Sequence, residues 1–291
     1  MDPTFNMTHV ALIPKNNNPL TVSDYRPISL CNVMYKIISK VLANRLKEIL
    51  PHVIFPFQSA FLPGRLITDN ILAAYETLHT MHTRMWSKVG HMRIKLDMSK
   101  AYDRVEWAFL EAVMRKMDFP TRWIKLIMEC VQTVSYAIIV NGQPVGHIVP
   151  KRGLRQGDPL SPYLFLICAE SLSAMLSQAE RNGSLTGVPT SKNGPRINHL
   201  FFADDSLLFG KANSVEWRRL TKILDKYEEA SGQKLNKEKT SLFFSHNTSG
   251  EKREEISRLS CLQATQPHKN TRNIWVFLHL LAGQDPRLFK I

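Results

Sequence analysis

Three carboxylates stand where a packed fold has little reason to keep them. Asp204 and Asp205 interrupt an apolar run, with Ile197, Leu200, Phe201 and Phe202 before them and Leu207, Leu208 and Phe209 after. Two apolar runs of β type joined by polar residues predict a β-hairpin with its tip at or near the two aspartates. Adjacent carboxylates repel each other and resist desolvation, so against apolar strands they need a counter-charge. Asp97 ends a third run, Met92-Arg93-Ile94-Lys95-Leu96-Asp97, whose alternation predicts a strand with one buried face. Carboxylates carried on two neighbouring strands suit a pair of Mg²⁺ ions, the usual clamp for phosphoryl or nucleotidyl transfer. Taken alone, the Asp204-Asp205 pair reads first as an exposed polar turn, which is common.

The elements around these residues follow from periodicity and punctuation. Thr8–Lys15 predicts a short strand closed by Pro14, and the polar loop to Pro19 follows it. A helix is expected from about Asn32 to Leu50, with Val33, Ile37, Ile38, Val41 and Leu46 at helical spacing and Lys36, Lys40, Arg45 and Lys47 elsewhere on its surface. Gln58-Ser59-Ala60-Phe61-Leu62-Pro63-Gly64-Arg65 reads as a turn that delivers Arg65 to a helix from about Thr68 to Thr83, with Ile71, Leu72, Tyr75 and Leu78 inward and Asp69 in its first turn. Further on, Trp107, Leu110, Val113, Met114 and Met117 form a core stripe on a helix limited by Pro120, and Trp123 to Val131 mark a second helix. Asn141-Gly142 between Val134–Val140 and Gln143–Val149 is a strong hairpin signal.

A second chemical stretch is Arg152-Gly153-Leu154-Arg155-Gln156-Gly157-Asp158-Pro159. Its glycines permit a backbone that hugs a ligand, and Pro159 is placed to open a helix carrying Tyr163, Leu164, Ile167, Leu172 and Met175. A helix with Val215, Leu220, Ile223, Leu224 and Tyr227 is expected to be capped near Asn213 or Ser214 and ended by Gly232; the loop after it holds Asn236 and Lys239 and leads into a strand from Ser241 to Phe244.

Composition narrows the class. The chain has 291 residues, 44% hydrophobic, with a net charge of +13, a balance that suits a polyanion such as nucleic acid. Cys31, Cys130, Cys168 and Cys261 contain no C-x-x-C pair, so neither a disulfide framework nor a zinc site is suggested, and a reducing intracellular setting, nuclear or cytoplasmic, is expected. There is no run of about 18 apolar residues and no signal-peptide start, so no membrane partner is expected.

Taken in order, Leu96-Asp97-Met98-Ser99-Lys100-Ala101-Tyr102-Asp103, Arg152–Pro162 and Phe202-Ala203-Asp204-Asp205 resemble the A, B and C motifs of reverse transcriptases. The wording is similar to plant LINE-type non-LTR retrotransposons and less so to group II intron maturases. The match covers about Phe5 to Ser245. The resemblance implies an α+β fold: the fingers and palm of a right-hand polymerase, an antiparallel palm sheet backed by helices; the family's thumb is expected to be missing from this chain. It implies a fingers-type region over 1–90, a palm over 91–245 and a tail over 246–291. It implies RNA-directed DNA polymerase activity with an RNA template, a DNA primer and deoxynucleotides as partners, and two Mg²⁺ ions (or Mn²⁺) on Asp97, Asp204 and Asp205. Oligomeric state is left open.

Residue by residue, the resemblance maps Tyr102 to the steric gate against a ribose 2′-hydroxyl. It maps Arg155, Gln156 and Gly157 to contacts with the incoming nucleotide and template base. Arg65 falls on a triphosphate contact, and equally reads as a surface arginine in a turn. Gly232, Asn236 and Lys239 match the D motif, where a lysine could protonate the leaving pyrophosphate, although most lysines in such a loop are only solvated. Asp103 reads as a structural partner. The tail departs from the family. With suitable codons, shifting the frame within the Asn270 codon allows a string resembling the family's primer-grip segment, so a frameshift upstream of Asn270 and a truncated reading frame are expected. The alternative to a polymerase is an incompetent remnant that binds nucleic acid through its basic surface.

Overall fold

A computed structural model describes residues 3–83, 89–191, 194–260 and 262–264. The frameshifted segment expected from Asn270 onward lies outside these residues. Strands and helices mix in an α+β fold with mostly antiparallel pairing, as expected. The chain divides into two compact units that interleave along the sequence: Met1–Ile54, Lys100–Cys168 and Ala230–Gln233 form one, and Phe55–Ser99, Ala169–Glu229 and Lys234–Ile291 the other.

The first unit is built on a four-stranded sheet of order β2-β1-β4-β5. Strand β1 (Met7–Pro14) pairs antiparallel with β2 (Tyr25–Cys31). Asn32 then caps helix α1 (Val33–Val53), its side chain accepting from the Met34 N–H at 2.9 Å. The segment Tyr25–Cys31 just before that helix is thus a strand of its own. The face of α1 also differs from expectation. Tyr35, Ser39, Leu42, Ala43, Leu46 and Leu50 are buried, whereas Val33, Ile37, Ile38 and Val41 are exposed. Both sets keep helical spacing, and packing selects the one that includes Tyr35.

Helices α2 (Ile67–Thr83) and strand β3 (His91–Leu96) belong to the second unit and precede α3 (Trp107–Lys116) and α4 (Thr121–Gln132) of the first. In α3 and α4, Leu110, Met114, Ile124, Ile127 and Met128 are buried as the stripes predict. β4 (Ser135–Val140) and β5 (Gln143–Ile148) form the expected hairpin, with Asn141 and Gly142 at φ of 50° and 79° in its turn. β4 pairs with β1 in parallel, so this sheet is mixed.

Helix α5 (Ser161–Arg181) follows, starting at Ser161 with Pro162 in its first turn; Pro159 stands before it and does not open it. The second unit holds a two-stranded ribbon, β6 (Val188–Pro189) with β7 (Arg196–Ile197), and a sheet of order β11-β10-β3-β9-β8. Its strands are β3, β8 (His199–Phe202), β9 (Asp205–Lys211), β10 (Ser241–Phe244) and β11 (Gln263–Ala264). Pairing there is antiparallel except between β10 and β11. Helix α6 (Ser214–Ser231) is capped by Asn213, which accepts from the Glu216 N–H, and ends at Gly232; α7 (Gly250–Ser260) follows β10.

A core of Ile71, Ala74, Met81, Leu200, Leu207 and Phe209 packs α2 against β8 and β9. Leu72 and Tyr75, expected inward, are exposed; Asn70, Ile71, Ala74, Thr77 and Met81 are buried in their place. The inward face of α2 carries polar residues because Asn70 bonds backbone carbonyls of the unit's interior. No helix among the described residues is long and apolar enough to cross a membrane.

Candidate active site

The acidic residues come together at one end of the five-stranded sheet. In β3, Met92, Ile94 and Leu96 are buried while His91, Arg93 and Lys95 are only partly so, the alternation that the sequence shows. Asp97 follows the last residue of that strand. β8 and β9 meet in a two-residue turn, Ala203-Asp204, with Phe202 opposite Asp205. Leu96 of β3 pairs with Ser206 of β9, so extending the register by one residue sets Asp97 across from Asp205. Ala203 holds φ at +55°, a left-handed conformation uncommon for a residue with a side chain, and this tightens the turn that carries Asp204.

Electrostatics show how closely the carboxylates sense each other. Partial burial, and then the charge of Asp97, hold the Asp204 carboxyl above its ordinary range, although the residue reaches solvent at the turn. Asp205 is pushed up to about 6, first by burial and then by Asp204 and Asp97, against an opposing pull from Lys95. A divalent cation would relieve this mutual repulsion. Among the described residues, no group of three or more His, Cys, Asp or Glu side chains is arranged to hold an ion in this conformation. The donor chemistry nevertheless fits Mg²⁺, which takes one or two protein carboxylates and completes its shell with water and substrate phosphate oxygens.

The loop after α6 is tied to Asp97 from the other side. The Asn236 N–H donates to the Asp97 carbonyl at 2.8 Å, the Thr240 hydroxyl receives the Asp97 N–H at 3.2 Å, and Met98 bridges Leu235. Lys239 lies in this loop with an exposed side chain, its own N–H directed to Asn236.

Arg65 is also in this unit, and its guanidinium turns to the backbone. Nη1 donates to the carbonyls of Phe55 and Gln58 at 2.6 and 2.8 Å. Desolvation lowers its pKa, while Glu170 raises it. Gln58, in the turn that precedes Arg65, is 2% exposed and receives the Ala203 N–H on Oε1 at 3.1 Å. No periodicity or motif spacing marks it; the contact joins residues 145 apart.

The remaining candidates belong to the first unit. Tyr102 is half-buried and its ring stacks on Phe165 with centroids 4.7 Å apart. The Leu154 N–H donates to the Tyr102 carbonyl and the Gly153 N–H to that of Val105, fastening the glycine loop to the segment after Ser99. The side chain of Gln156 hydrogen-bonds the Asp103 carboxylate, a structural partnership for Asp103. Gly157 holds φ at +98°, and a Cβ there would sit 3.2 Å from the Ser29 carbonyl oxygen, so the backbone of β2 passes close to the loop.

Arg155 is 5% exposed, and its guanidinium is spent on protein groups. It pairs with Asp158 at 2.9 Å, donates to Asn6 and Thr8 and to the Cys130 carbonyl at 2.9 Å, and lies 3.8 Å over the Tyr35 ring. The Tyr35 hydroxyl donates to Asp158 at 2.6 Å, and burial together with that carboxylate strongly raises its pKa. This buried knot fixes the loop that carries Gln156 and Gly157.

Comparison with known proteins agrees with this geometry. A 149 kDa protein of transposon TX1 from Xenopus laevis is 28% identical over 80% of this chain and 17% of its own length. The Pol polyprotein of the type-2 retrotransposable element R2DM from Drosophila melanogaster is 28% identical over 80% of this chain and 21% of its own. A mitochondrial protein of Arabidopsis thaliana is 59% identical over 23% of this chain and 56% of its own length. The chain thus spans about a fifth of the two long relatives. Among solved structures, telomerase from Candida tropicalis in complex with a telomeric RNA fragment superimposes with a TM-score of 0.57 at 13% identity, over 84% of this chain and 42% of that one. That likeness establishes the shared polymerase fold. The family model described as reverse transcriptase (RNA-dependent DNA polymerase) matches residues 13–270, and the chain belongs to that family.

Proposed function

We propose that this chain is the fingers and palm of an RNA-directed DNA polymerase of a non-LTR retrotransposon, of the plant LINE type, extending a DNA primer on an RNA template from deoxynucleoside triphosphates. Residues 1–90 serve as the fingers-type region and 91–245 as the palm. The observation that carries this reading is the meeting of Asp97, Asp204 and Asp205 at the end of β3 and in the β8–β9 turn, where burial and then the charge of Asp97 hold Asp204 above its ordinary range, and burial and then Asp204 and Asp97 push Asp205 up. The matched family and the transposon names of the relatives support it. The identity with the Arabidopsis thaliana protein supports the plant assignment.

In this reading the three aspartates would hold two Mg²⁺ ions, or Mn²⁺, which when bound lower the pKa of the primer 3′-hydroxyl and offset the charge of the leaving pyrophosphate. The chain's own residues then orient the reactants. Gln156 and Gly157 present amide and backbone surface to the incoming nucleotide and template base. Arg155 supports that loop from behind, from its buried position between Tyr35 and Asp158. Tyr102, braced on Phe165, bars a ribose 2′-hydroxyl. Lys239, exposed on a loop tied to Asp97, donates a proton to pyrophosphate. Arg65 contributes through the backbone it holds and adds positive charge for the triphosphate.

The test is primer extension on an RNA template with purified protein, Mg²⁺ and deoxynucleotides at low salt, beside Asp204→Ala. Extension that disappears in the variant is expected. A folded protein that binds nucleic acid and extends nothing would replace this reading with that of an incompetent remnant.

A further inference from the structure

The segment Phe55–Ala60 lies along β8 and reaches the acidic turn. Gln58 bridges Phe201 in parallel; the Phe201 N–H donates to the Phe57 carbonyl at 2.8 Å, and the Ser59 N–H to the Phe201 carbonyl at 3.3 Å. Where β8 ends, the Gln58 side chain takes over from the backbone. Its Oε1 receives the N–H of Ala203 at 3.1 Å and that of Ala60 at 3.0 Å. The segment is locked in turn by three side chains. Arg65 Nη1 donates to the Phe55 and Gln58 carbonyls. Asn70 Nδ2 donates to the Phe57 carbonyl at 3.1 Å and the Phe201 carbonyl at 2.9 Å, stitching segment to strand. Glu170 accepts from the Phe55 backbone N–H.

Two features show that the Gln58 oxygen matters. Its amide Nε2 is buried without a partner, a cost that an apolar side chain of the same size would avoid. Ala203 holds a φ of +55°, which an L-residue keeps only when its surroundings over-determine it. The oxygen that receives the Ala203 N–H supplies that constraint, one residue before Asp204.

We propose that Gln58 is a positioning residue for nucleotidyl transfer, holding Ala203 in its left-handed conformation and thereby aiming the Asp204 carboxylate. It acts through the turn and touches no reacting group. This deepens the polymerase reading above and rests on it. Misplacing a catalytic group by about 1 Å can cost about 100-fold in rate.

The experiment compares the full chain with Gln58→Met, which keeps the volume and removes the acceptor, and Gln58→Glu, which keeps an acceptor oxygen. Amide hydrogen exchange of the peptide that spans Ala203, and Mn²⁺ affinity measured by EPR, are read alongside single-nucleotide extension. Gln58→Met is expected to speed exchange at Ala203 about 10-fold or more, leaving β3 and β9 protected, and to weaken Mn²⁺ binding. It lowers kcat about 10- to 100-fold with little change in the nucleotide KM. Gln58→Glu retains protection at Ala203. Unchanged exchange and Mn²⁺ affinity in folded Gln58→Met would overturn the proposal. If Gln58→Met does not fold, loss of Ala203 protection in folded Gln58→Glu overturns it and retained protection upholds it. A wild-type protein that binds Mn²⁺ yet extends no primer would sink the polymerase reading, while exchange and metal affinity still decide the role of Gln58 in the turn.

Discussion

At the scale of single residues, the second unit keeps one carboxyl where few folds tolerate one. Glu170 is 4% exposed and its pKa is raised to about 8, chiefly by burial, with the Phe55 N–H and Arg65 pulling it down. Its ordinary value is 4.5. The folded chain therefore holds a proton that the unfolded chain releases as pH rises above the ordinary value. The stability contributed by this proton is fully present below that pH and is lost as pH climbs through the folded value. Glu170→Gln cannot ionise and still accepts from Phe55. Its melting temperature relative to wild type is expected to increase between about pH 5 and pH 8.5, as read by calorimetry. A difference independent of pH would show that the carboxyl is already paired and charged. The closeness of Asp204 and Asp205 was legible from residue types alone, because adjacent carboxylates between apolar strands stand out as residues that resist desolvation. The role of Arg65 was not, since a guanidinium in a Pro-Gly turn fits a phosphate and a pair of carbonyls equally well, and only the fold supplies the carbonyls.

At the scale of elements, the glycine loop shows why two glycines with similar φ differ in cost. Gly153 holds φ at +93°, and a Cβ there would stand 2.7 Å from the Asp103 carbonyl oxygen. Gly142 in the β4–β5 turn holds φ at +79° with no atom within 4 Å of such a Cβ. Gly142→Ala should cost about 1 kcal/mol, the strain of a left-handed L-residue. Gly153→Ala adds a backbone collision and should cost about 1–3 kcal/mol more, with the difference read from urea midpoints at constant m. Equal costs would mean that the loop moves freely away from Asp103. Helices were legible as elements and less so as faces. In α1 the sequence offers both Val33-Ile37-Val41 and Leu42-Leu46-Leu50 at helical spacing, and in α2 Leu72 and Tyr75 compete with Asn70 and Ala74. Spacing cannot rank such sets; the partner surface does.

At the scale of the whole molecule, the proposed function calls on the net charge of +13 to attract a nucleic acid. Association driven by phosphate neutralisation releases counterions, so affinity falls steeply with salt. With about 6 phosphate contacts, binding to a primer–template should weaken about 1,000-fold between 50 and 200 mM salt, measured by fluorescence anisotropy, and be nearly independent of sequence. A flat salt response would assign the basic residues to internal pairing, as already seen for Arg155 with Asp158.

By itself, the sequence determined the family motifs and most of the local elements. Carboxylate placement, the order of the three motifs, the Asn141-Gly142 turn and the strand alternation before Asp97 all depend on neighbours in the chain, which a linear reading sees. Tertiary structure decided the rest. It interleaved the two compact units, made Tyr25–Cys31 a strand, buried Arg155 between Tyr35 and Asp158, and brought Gln58 to Ala203. Each of these depends on contacts between distant segments, whose pairing is selected by packing and hydrogen-bond satisfaction over the whole fold, and no local propensity encodes it.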